Sequence, residues 1–207
     1  MIILDFGSGN TCKNDLNYVK RMIDELKAVD TGKHEIVIKW QLFQEAGDNI
    51  PLKQSIFNLA YEYAKGNGYK TTASVFDIDS LQYLLWYDIP FVKIANRPDL
   101  YWLAGEVPRK IPIYMSGDSD FYANFKWDCC GDIPLACVSE YPATPEMYNE
   151  KFGAMLSRGR ISDHTTDFRL WYQHQPTTIE WHYKLDDSTG LDAGPFARTP
   201  EQLKEIL

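Results

Sequence analysis

Two histidines and their neighbouring carboxylates give the sequence its clearest chemical signal. The chain has four histidines, and two of them lie close together, in Ser162-Asp163-His164-Thr165 and in Glu180-Trp181-His182. Each follows a short run rich in β-branched residues. A histidine pair beside carboxylates suits a divalent ion such as Mn²⁺, Zn²⁺ or Co²⁺, because imidazole binds these ions and leaves positions open for water or substrate. We therefore predict that His164 and His182 bind a metal, with Asp163 and Glu180 nearby.

Alternation along the strands predicts which other side chains share this site. In residues 177–184, positions two apart share a face, so Glu180 and His182 lie together with Thr178 and Lys184. Other predicted strands also place polar residues at their carboxyl ends, where a parallel barrel has its active site. Burying this many polar and charged groups without a function would be costly. The residues concerned are Asp5, Lys39, Gln41, Thr72, Ser74, Lys93, Ser116, Ser139, Ser162 and His164.

Eight β-rich segments recur along the chain and predict the fold. Helical spacing separates several of them, as at Leu16, Val19, Ile23 and Leu26, and such alternation predicts parallel strands with right-handed crossovers. We predict a (β/α)8 TIM barrel in one domain, residues 1–207, with some outer helices shortened or missing. The predicted strands cover 2–6, 35–41, 69–75, 90–96, 111–117, 134–140, 159–164 and 177–184.

Two further helices are predicted in the first half of the chain. Apolar residues at Ile56, Leu59, Ala60 and Tyr63 indicate the buried face of one helix. Residues 77–87 indicate another, which we expect to begin with Asp79 as its cap. Both would cover the outside of the barrel.

Composition and charge limit the classes of partner. The 207 residues are 44% hydrophobic and 24% charged, typical of a globular protein, and the net charge of −8 with no basic run argues against nucleic acid. No apolar run approaches the length of a membrane span, and the sequence begins directly with a predicted strand. Cys12, Cys129, Cys130 and Cys137 show no CxxC spacing, so we expect a reducing, cytoplasmic location.

The order of the segments resembles the sialic acid synthase family, whose members condense phosphoenolpyruvate with an amino sugar. The most specific matches are Ser-Asp-His-Thr at 162–165 followed by Glu-x-His at 180–182, Tyr-Pro-x-Thr-Pro at 141–145, and Phe-Asp-x-x-Ser-x-x-x-Leu at 76–84. The resemblance runs from Asp5 to the end of the sequence. It implies the same (β/α)8 barrel and a divalent cation, Mn²⁺ or Mg²⁺, held by His164 and His182.

The resemblance also implies roles for the other predicted site residues. Lys39 and Lys93 would bind phosphoenolpyruvate, and Ser116 and Ser162 would donate hydrogen bonds to it. Ser139 stands where the family has a phosphate-binding amide side chain, and it would contact the same ligand. Asp5, Glu180 and Lys93 would serve catalysis. Positions matching those near the sugar are Gln41, Tyr141 and Asp192.

Several departures from the family pattern bear on the acceptor. The carboxylate near the first strand is Asp5 instead of glutamate, and Arg97-Pro98 replaces a glycine and an acidic residue. The sequence ends at Leu207, so we expect a barrel without the C-terminal antifreeze-like domain that covers the site in two-domain relatives. A smaller or different aldehyde is then a plausible acceptor.

The sequence thus predicts a phosphoenolpyruvate-dependent synthase that extends an aldose or an N-acetylated amino sugar to a 2-keto sugar acid. Two alternatives stay open: a non-catalytic metal- or anion-binding barrel derived from such an enzyme, and a metal-dependent 2-keto acid aldolase. We expect a homo-oligomer, because missing helices together with six tryptophans and thirteen tyrosines leave apolar surface to be covered.

Overall fold

The computed structural model describes residues 1–43, 47–125 and 131–207 and contains a closed barrel of eight parallel strands. Each strand pairs with the next in sequence, and the last pairs with the first. The predicted (β/α)8 TIM barrel is confirmed. Its strands are β1 (Ile2–Asp5), β2 (Ile36–Leu42), β3 (Lys70–Val75), β4 (Val92–Ile94), β5 (Ile113–Gly117), β6 (Asp132–Cys137), β7 (Arg160–Asp163) and β8 (Thr178–His182).

The strand register brings the predicted polar residues to one level of the barrel. Asp5 at the end of β1 is paired with Lys39 on one side and with His182 on the other. Ser74 is paired with Lys93 across β3 and β4. These residues lie near the carboxyl ends of their strands, which places them around one opening of the barrel.

Helices of unequal length surround the barrel, and the later ones are short, as predicted. Between β4 and β5 the chain forms a 3-10 helix over Pro98–Glu106 in place of an α-helix. Shorter 3-10 turns cover Gly153–Leu156 and Leu191–Ala193. The α-helices are α1 (Leu16–Val29), α2 (Gln54–Gly66), α3 (Ile78–Leu84), α4 (Ser119–Asn124), α5 (Pro145–Phe152), α6 (Arg169–His174) and α7 (Pro200–Leu203).

Two details of the predicted helices are wrong. The cap of α3 is Asp77, whose Oδ1 accepts from the amide of Ser80 at 2.6 Å, because Asp79 already lies within the first turn. On α2 the buried face includes Phe57 and Ala60, while Leu59 is 46% exposed. Aromatic residues on both faces of this helix make its apolar periodicity ambiguous.

Apolar side chains fill the barrel interior at its amino-terminal end. Ile3, Val37, Phe91, Tyr114 and Leu135 are all buried and form a cluster of their own. The larger cluster lies between the strands and the helices. The inner cluster closes the bottom of the barrel, so only the opposite end offers a polar interior.

Two features of the described residues bear on the cysteine and membrane predictions. Among the described residues, Cys12 and Cys137 are buried free thiols, whereas Cys129 and Cys130 lie outside the described part of the chain. Within that same part, every helix is too short or too polar to cross a membrane.

Truncating a residue of the outer core should destabilise the barrel. Leu4 is fully buried on β1, so Leu4→Ala should lower the free energy of unfolding by about 2–5 kcal/mol through lost burial and a residual cavity. Urea denaturation followed by circular dichroism measures this. Leu59→Ala is the matched control on the exposed face of α2, and we expect a change within about 0.5 kcal/mol. Equal losses in the two variants would contradict the assignment of the core.

Candidate active site

A cavity of about 470 Å³ opens at the carboxyl ends of the strands. The twelve residues that were given a specific role in the site all line it, although their roles stay predictions. They are Asp5, Lys39, Gln41, Lys93, Ser116, Ser139, Tyr141, Ser162, His164, Glu180, His182 and Asp192.

Two buried lysines share one buried glutamate in this cavity. Lys39 Nζ lies 3.3 Å from Glu180 Oε1, and Lys93 Nζ lies 3.2 Å from Glu180 Oε2. Lys39 Nζ also donates to Asp5 Oδ2 at 2.6 Å. Each ammonium therefore has a carboxylate partner, which offsets part of the cost of removing it from water.

The surroundings of Lys39 and Lys93 shift their pKa values in opposite directions. Burial alone would lower the pKa of Lys39, but Asp5 and Glu180 raise it above its ordinary value. Burial lowers the pKa of Lys93, and Glu180 only partly offsets this. The pKa of Glu180 lies below its ordinary value because the two lysines outweigh burial. Lys93 is thus the cation that gives up its proton more readily.

Hydroxyl groups complete the contacts of the charged residues. Lys39 donates to Ser74 Oγ at 2.9 Å, and Lys93 donates to Ser116 Oγ at 2.8 Å. Ser162 donates to Glu180 Oε2 at 2.8 Å. Ser139 lies nearer the opening, where Asn96 Nδ2 donates to its hydroxyl at 2.8 Å. The β3 to β7 side of the cavity is consequently rich in ammonium, amide and hydroxyl donors suited to an anion.

His164 is held as a neutral imidazole. Its Nδ1 lies 2.8 Å from the carbonyl oxygen of Val138, a contact that places the ring proton on Nδ1. Burial lowers its pKa to about 3, and the ring of Tyr141 stacks on it at 4.1 Å between centroids. This tautomer leaves the Nε2 lone pair free to bind a cation.

His182 belongs to a cluster of potential metal ligands. Its Nδ1 lies 3.7 Å from Asp5 Oδ2 and 3.5 Å from Asp192 Oδ1, and one ligand atom from each residue falls within 4.8 Å of the others. Gln41 Nε2 donates to both carboxylates, at 3.0 Å to Asp5 and 2.8 Å to Asp192. Asp192 reaches this position from the 3-10 turn after β8.

A divalent cation fits this cluster. His182 Nδ1 is buried without a hydrogen-bond partner among the described residues, although two carboxylates lie beside it. A buried nitrogen without a partner is costly, and a cation bound here would give it one, with the two neighbouring carboxylates as further ligands. His164 lies outside this three-residue cluster, with its ring centroid 5.4 Å from that of His182.

Two residues expected beside the histidines point elsewhere. Asp163 lies on the outer side of β7, where Oδ2 accepts from Trp181 Nε1 at 2.7 Å, so its predicted place near the metal is wrong. Strand alternation sets Asp163 opposite to Ser162. Lys184 lies past the end of β8 and donates to the carbonyl oxygens of Ala193 and Gly194.

Several residues that line the cavity were not among the predicted site residues. Asn96 and Arg97 follow β4 and lie near the opening, where Arg97 forms two hydrogen bonds with Asp99. Their position directly after a short strand was the available signal, since loops at this end of a barrel form its site. The others are Phe76, Ala95, Cys137 and Leu191. Ser74, which was predicted at this end of the barrel, also lines the cavity, whereas Thr72, predicted with it, does not.

The fold and cavity define a TIM barrel with two buried lysine ammonium groups at the carboxyl ends of its strands. Comparison with known proteins gives the same fold. No family model and no curated protein sequence matches the chain. Among solved structures, the N-acetylneuraminic acid (sialic acid) synthetase from Leptospira borgpetersenii superposes with a TM-score of 0.75 and 22% identity. That similarity covers 99% of this chain and 80% of the synthetase.

Two further solved structures extend this similarity. The spore coat polysaccharide biosynthesis protein spsE from Bacillus subtilis has a TM-score of 0.72 and 20% identity, covering 99% of this chain and 65% of that one. A truncated 3-deoxy-D-arabino-heptulosonate 7-phosphate synthase from Thermotoga maritima has a TM-score of 0.62 and 12% identity, covering 99% and 83%. The chain therefore shares the barrel fold of these proteins, and the resemblance noted in the sequence is confirmed at the level of fold.

Removing the shared carboxylate should destabilise the protein strongly. Glu180→Gln preserves shape but leaves both lysines without their common partner, so we expect a loss of about 3–5 kcal/mol in the free energy of unfolding. Glu35→Gln makes the same change in an exposed ion pair with Lys70 and should cost at most about 1 kcal/mol. Urea denaturation compares them, and a Glu180→Gln loss as small as that of Glu35→Gln would contradict the pairing.

Metal binding should depend on the cluster around His182. We expect His182→Ala and Asp192→Asn each to weaken Mn²⁺ binding at least about tenfold, because each removes a ligand from the cluster. Electron paramagnetic resonance of free Mn²⁺ gives the dissociation constants. His174→Ala is the control, since His174 contacts Asn149 away from the cavity. Unchanged affinity in the Asp192→Asn protein would remove Asp192 from the ligand set.

Proposed function

We propose that the protein is a metal-dependent synthase that condenses phosphoenolpyruvate with a sugar aldehyde. The observation that carries this proposal is the pairing, in one cavity, of two buried lysines with a buried histidine-carboxylate cluster. The lysines suit a small, highly charged anion, and the cluster suits a cation. The similarity in fold to a sialic acid synthetase supports the same reaction class.

The charge balance of the cavity supports a bound cation. Among the buried residues of the cavity, Asp5, Glu180 and Asp192 supply three carboxyl groups against the two ammonium groups of Lys39 and Lys93, while Arg97 at the opening is paired with Asp99. This excess would repel phosphoenolpyruvate, which carries both a phosphate and a carboxylate. A divalent cation reverses the balance and makes the site attractive to anions.

Different residues of the cavity would bind the two substrates. Lys39 and Lys93, with Ser116, Ser139 and Ser162, would hold the phosphate and carboxylate of phosphoenolpyruvate. Gln41, Tyr141 and Asp192, which line the same cavity, would contact the acceptor. A bound Mn²⁺ or Mg²⁺ would supply Lewis-acid polarisation of the aldehyde.

The reaction balances with water as the third reactant. C3 of phosphoenolpyruvate forms a bond to the aldehyde carbon, whose oxygen takes up a proton. Water adds at C2, and phosphate leaves as its C–O bond breaks, giving a 2-keto acid. Lys93, with its lowered pKa, would donate the proton to the aldehyde oxygen, and the ionised Glu180 would orient both lysines. Of the two protons that the water loses, one would restore Lys93 and the other would leave on the phosphate.

The proposed function also implies a cytoplasmic location and is compatible with a homo-oligomer. Its substrates are small cytoplasmic metabolites, and the buried thiols of Cys12 and Cys137 suit a reducing compartment. Trp86, 89% exposed, and Trp102, 55% exposed, offer apolar surface for the homo-oligomer expected from the sequence.

Phosphate release is the direct test of this function. With Mn²⁺ and phosphoenolpyruvate, we expect phosphate to appear only when a suitable aldose or N-acetylated hexosamine is added. His164→Ala and His182→Ala should lower the rate by about 10²-fold or more, as expected when a group that stabilises developing charge is lost. His174→Ala should keep the wild-type rate.

Other outcomes of the same assay decide between the alternatives. No phosphate with any acceptor, while Mn²⁺ still binds, would indicate a non-catalytic binding barrel. Pyruvate released from a 2-keto sugar acid, without any reaction of phosphoenolpyruvate, would indicate an aldolase. Either result would overturn the synthase.

A further inference from the structure

Asp163 is buried outside the cavity and takes no part in the proposed reaction. Its Oδ1 accepts from the amide of Thr165 at 2.8 Å, and its Oδ2 accepts from Trp181 Nε1 at 2.7 Å. Both contacts are made to sequence neighbours of the two histidines: Thr165 immediately follows His164, and Trp181 immediately precedes His182. A carboxylate on the outer wall thus contacts the backbone around one imidazole and the neighbour of the other.

The side chain of Arg198 contacts the same segment. Its Nη2 lies 3.6 Å from Asp163 Oδ2, and it donates to the carbonyl oxygen of Asp167 at 2.6 Å and to Thr165 Oγ1 at 3.4 Å. Arg198 is only 1% exposed. The guanidinium therefore holds the turn that follows His164.

The backbone of Arg198 is attached to the strand that carries the other histidine. Its amide donates to the carbonyl oxygen of His182 at 2.7 Å, and its carbonyl oxygen accepts from the amide of Lys184 at 3.0 Å. It forms an isolated parallel bridge with Tyr183, directly beyond β8. One residue consequently joins the two chain segments that present His164 and His182.

We propose that Arg198 and Asp163 are positioning residues that fix the spacing of the two imidazoles from behind the barrel wall. The inference rests on the proposed role of His164 and His182 at the metal site. Arg198 acts on His182 through the backbone and on His164 through the turn at Thr165. Asp163 joins the same two segments through Trp181.

A purely stabilising role would leave different evidence. A buried ion pair contributes little net stability once the cost of desolvation is included, so stability alone gives weak reason for this arrangement. Residues behind metal ligands, by contrast, typically change metal affinity by about 10- to 100-fold when they are replaced. The two roles can be separated by measuring ligand geometry and stability in the same variants.

The test uses Arg198→Met, which keeps the apolar stem and removes the guanidinium. Nuclear magnetic resonance of the labelled, metal-free protein should show shifted or broadened imidazole signals for both His164 and His182. Its Mn²⁺ dissociation constant should rise about tenfold. Arg198→Lys, which keeps the charge but not the forked donors, should give a smaller change of the same kind and serves if the methionine variant does not fold.

Tyr183→Phe is the matched control. It removes a buried hydrogen bond from the Tyr183 hydroxyl to the carbonyl oxygen of Met22, on the outer side of the same chain segment, without touching the turn after His164. It should lower stability while leaving both imidazole signals and Mn²⁺ affinity at wild-type values.

The positioning role is overturned if the Arg198 variants keep wild-type imidazole signals, or if Tyr183→Phe shifts them equally. The metal-free signals do not depend on catalysis. A wild-type protein that releases no phosphate would therefore refute the synthase while leaving this inference to be decided by the spectra.

Discussion

The site depends on the carboxylate of Glu180, placed between two buried ammonium groups. Lys39 and Lys93 come from β2 and β4, and Glu180 is the carboxylate that they share; Asp5 also pairs with Lys39, whereas the ion pair of Lys93 is with Glu180. Glu180 faces inward because β8 alternates, with Trp181 directed to the outer core. The register of β8 against β1 and β7 therefore determines the electrostatics of the whole cavity. A slip of one residue would exchange Glu180 with Trp181 and leave both lysines without this partner.

The layered interior of the barrel explains why this charge cluster lies where it does. The inner apolar cluster that includes Ile3 and Leu135 closes the amino-terminal end and excludes water there. One step further along the strands, Asp5 and Lys39 replace these apolar residues at positions with the same orientation. The polar groups thus rest on a dry base, where their mutual interactions are stronger than in water. These polar groups face only the cavity.

Strand alternation made most of this site predictable from sequence. Asp5, Lys39 and Glu180 were assigned inward because each shares parity with polar residues at a strand end, and the barrel follows from eight repeats of that pattern. The same rule, applied strictly, places Asp163 outward. Its predicted place beside the metal was wrong because closeness in sequence to His164 was taken as closeness in space. On α2, where aromatic residues occur on both faces, periodicity was too weak to place Leu59.

Other features of the site could not be derived from periodicity at all. Asp192 was expected from the family resemblance, but its contact with His182 depends on the path of the 3-10 turn after β8, which no periodic pattern encodes. Arg198 likewise reaches Asp163 through tertiary contacts alone. Both residues come from the segment after the last strand, which contacts the ends of β2, β7 and β8.

The two lysines and the carboxylates beside His182 make opposite electrostatic demands, with Asp5 shared between the two groups, and this opposition argues for two different ligands. The lysine side is already neutralised by Glu180 and Asp5, so it gains little from a further anion unless positive charge is added nearby. The carboxylates beside His182 supply the place for that charge. Binding of a cation on one side would therefore strengthen binding of an anion on the other, a reciprocal coupling that follows from linkage.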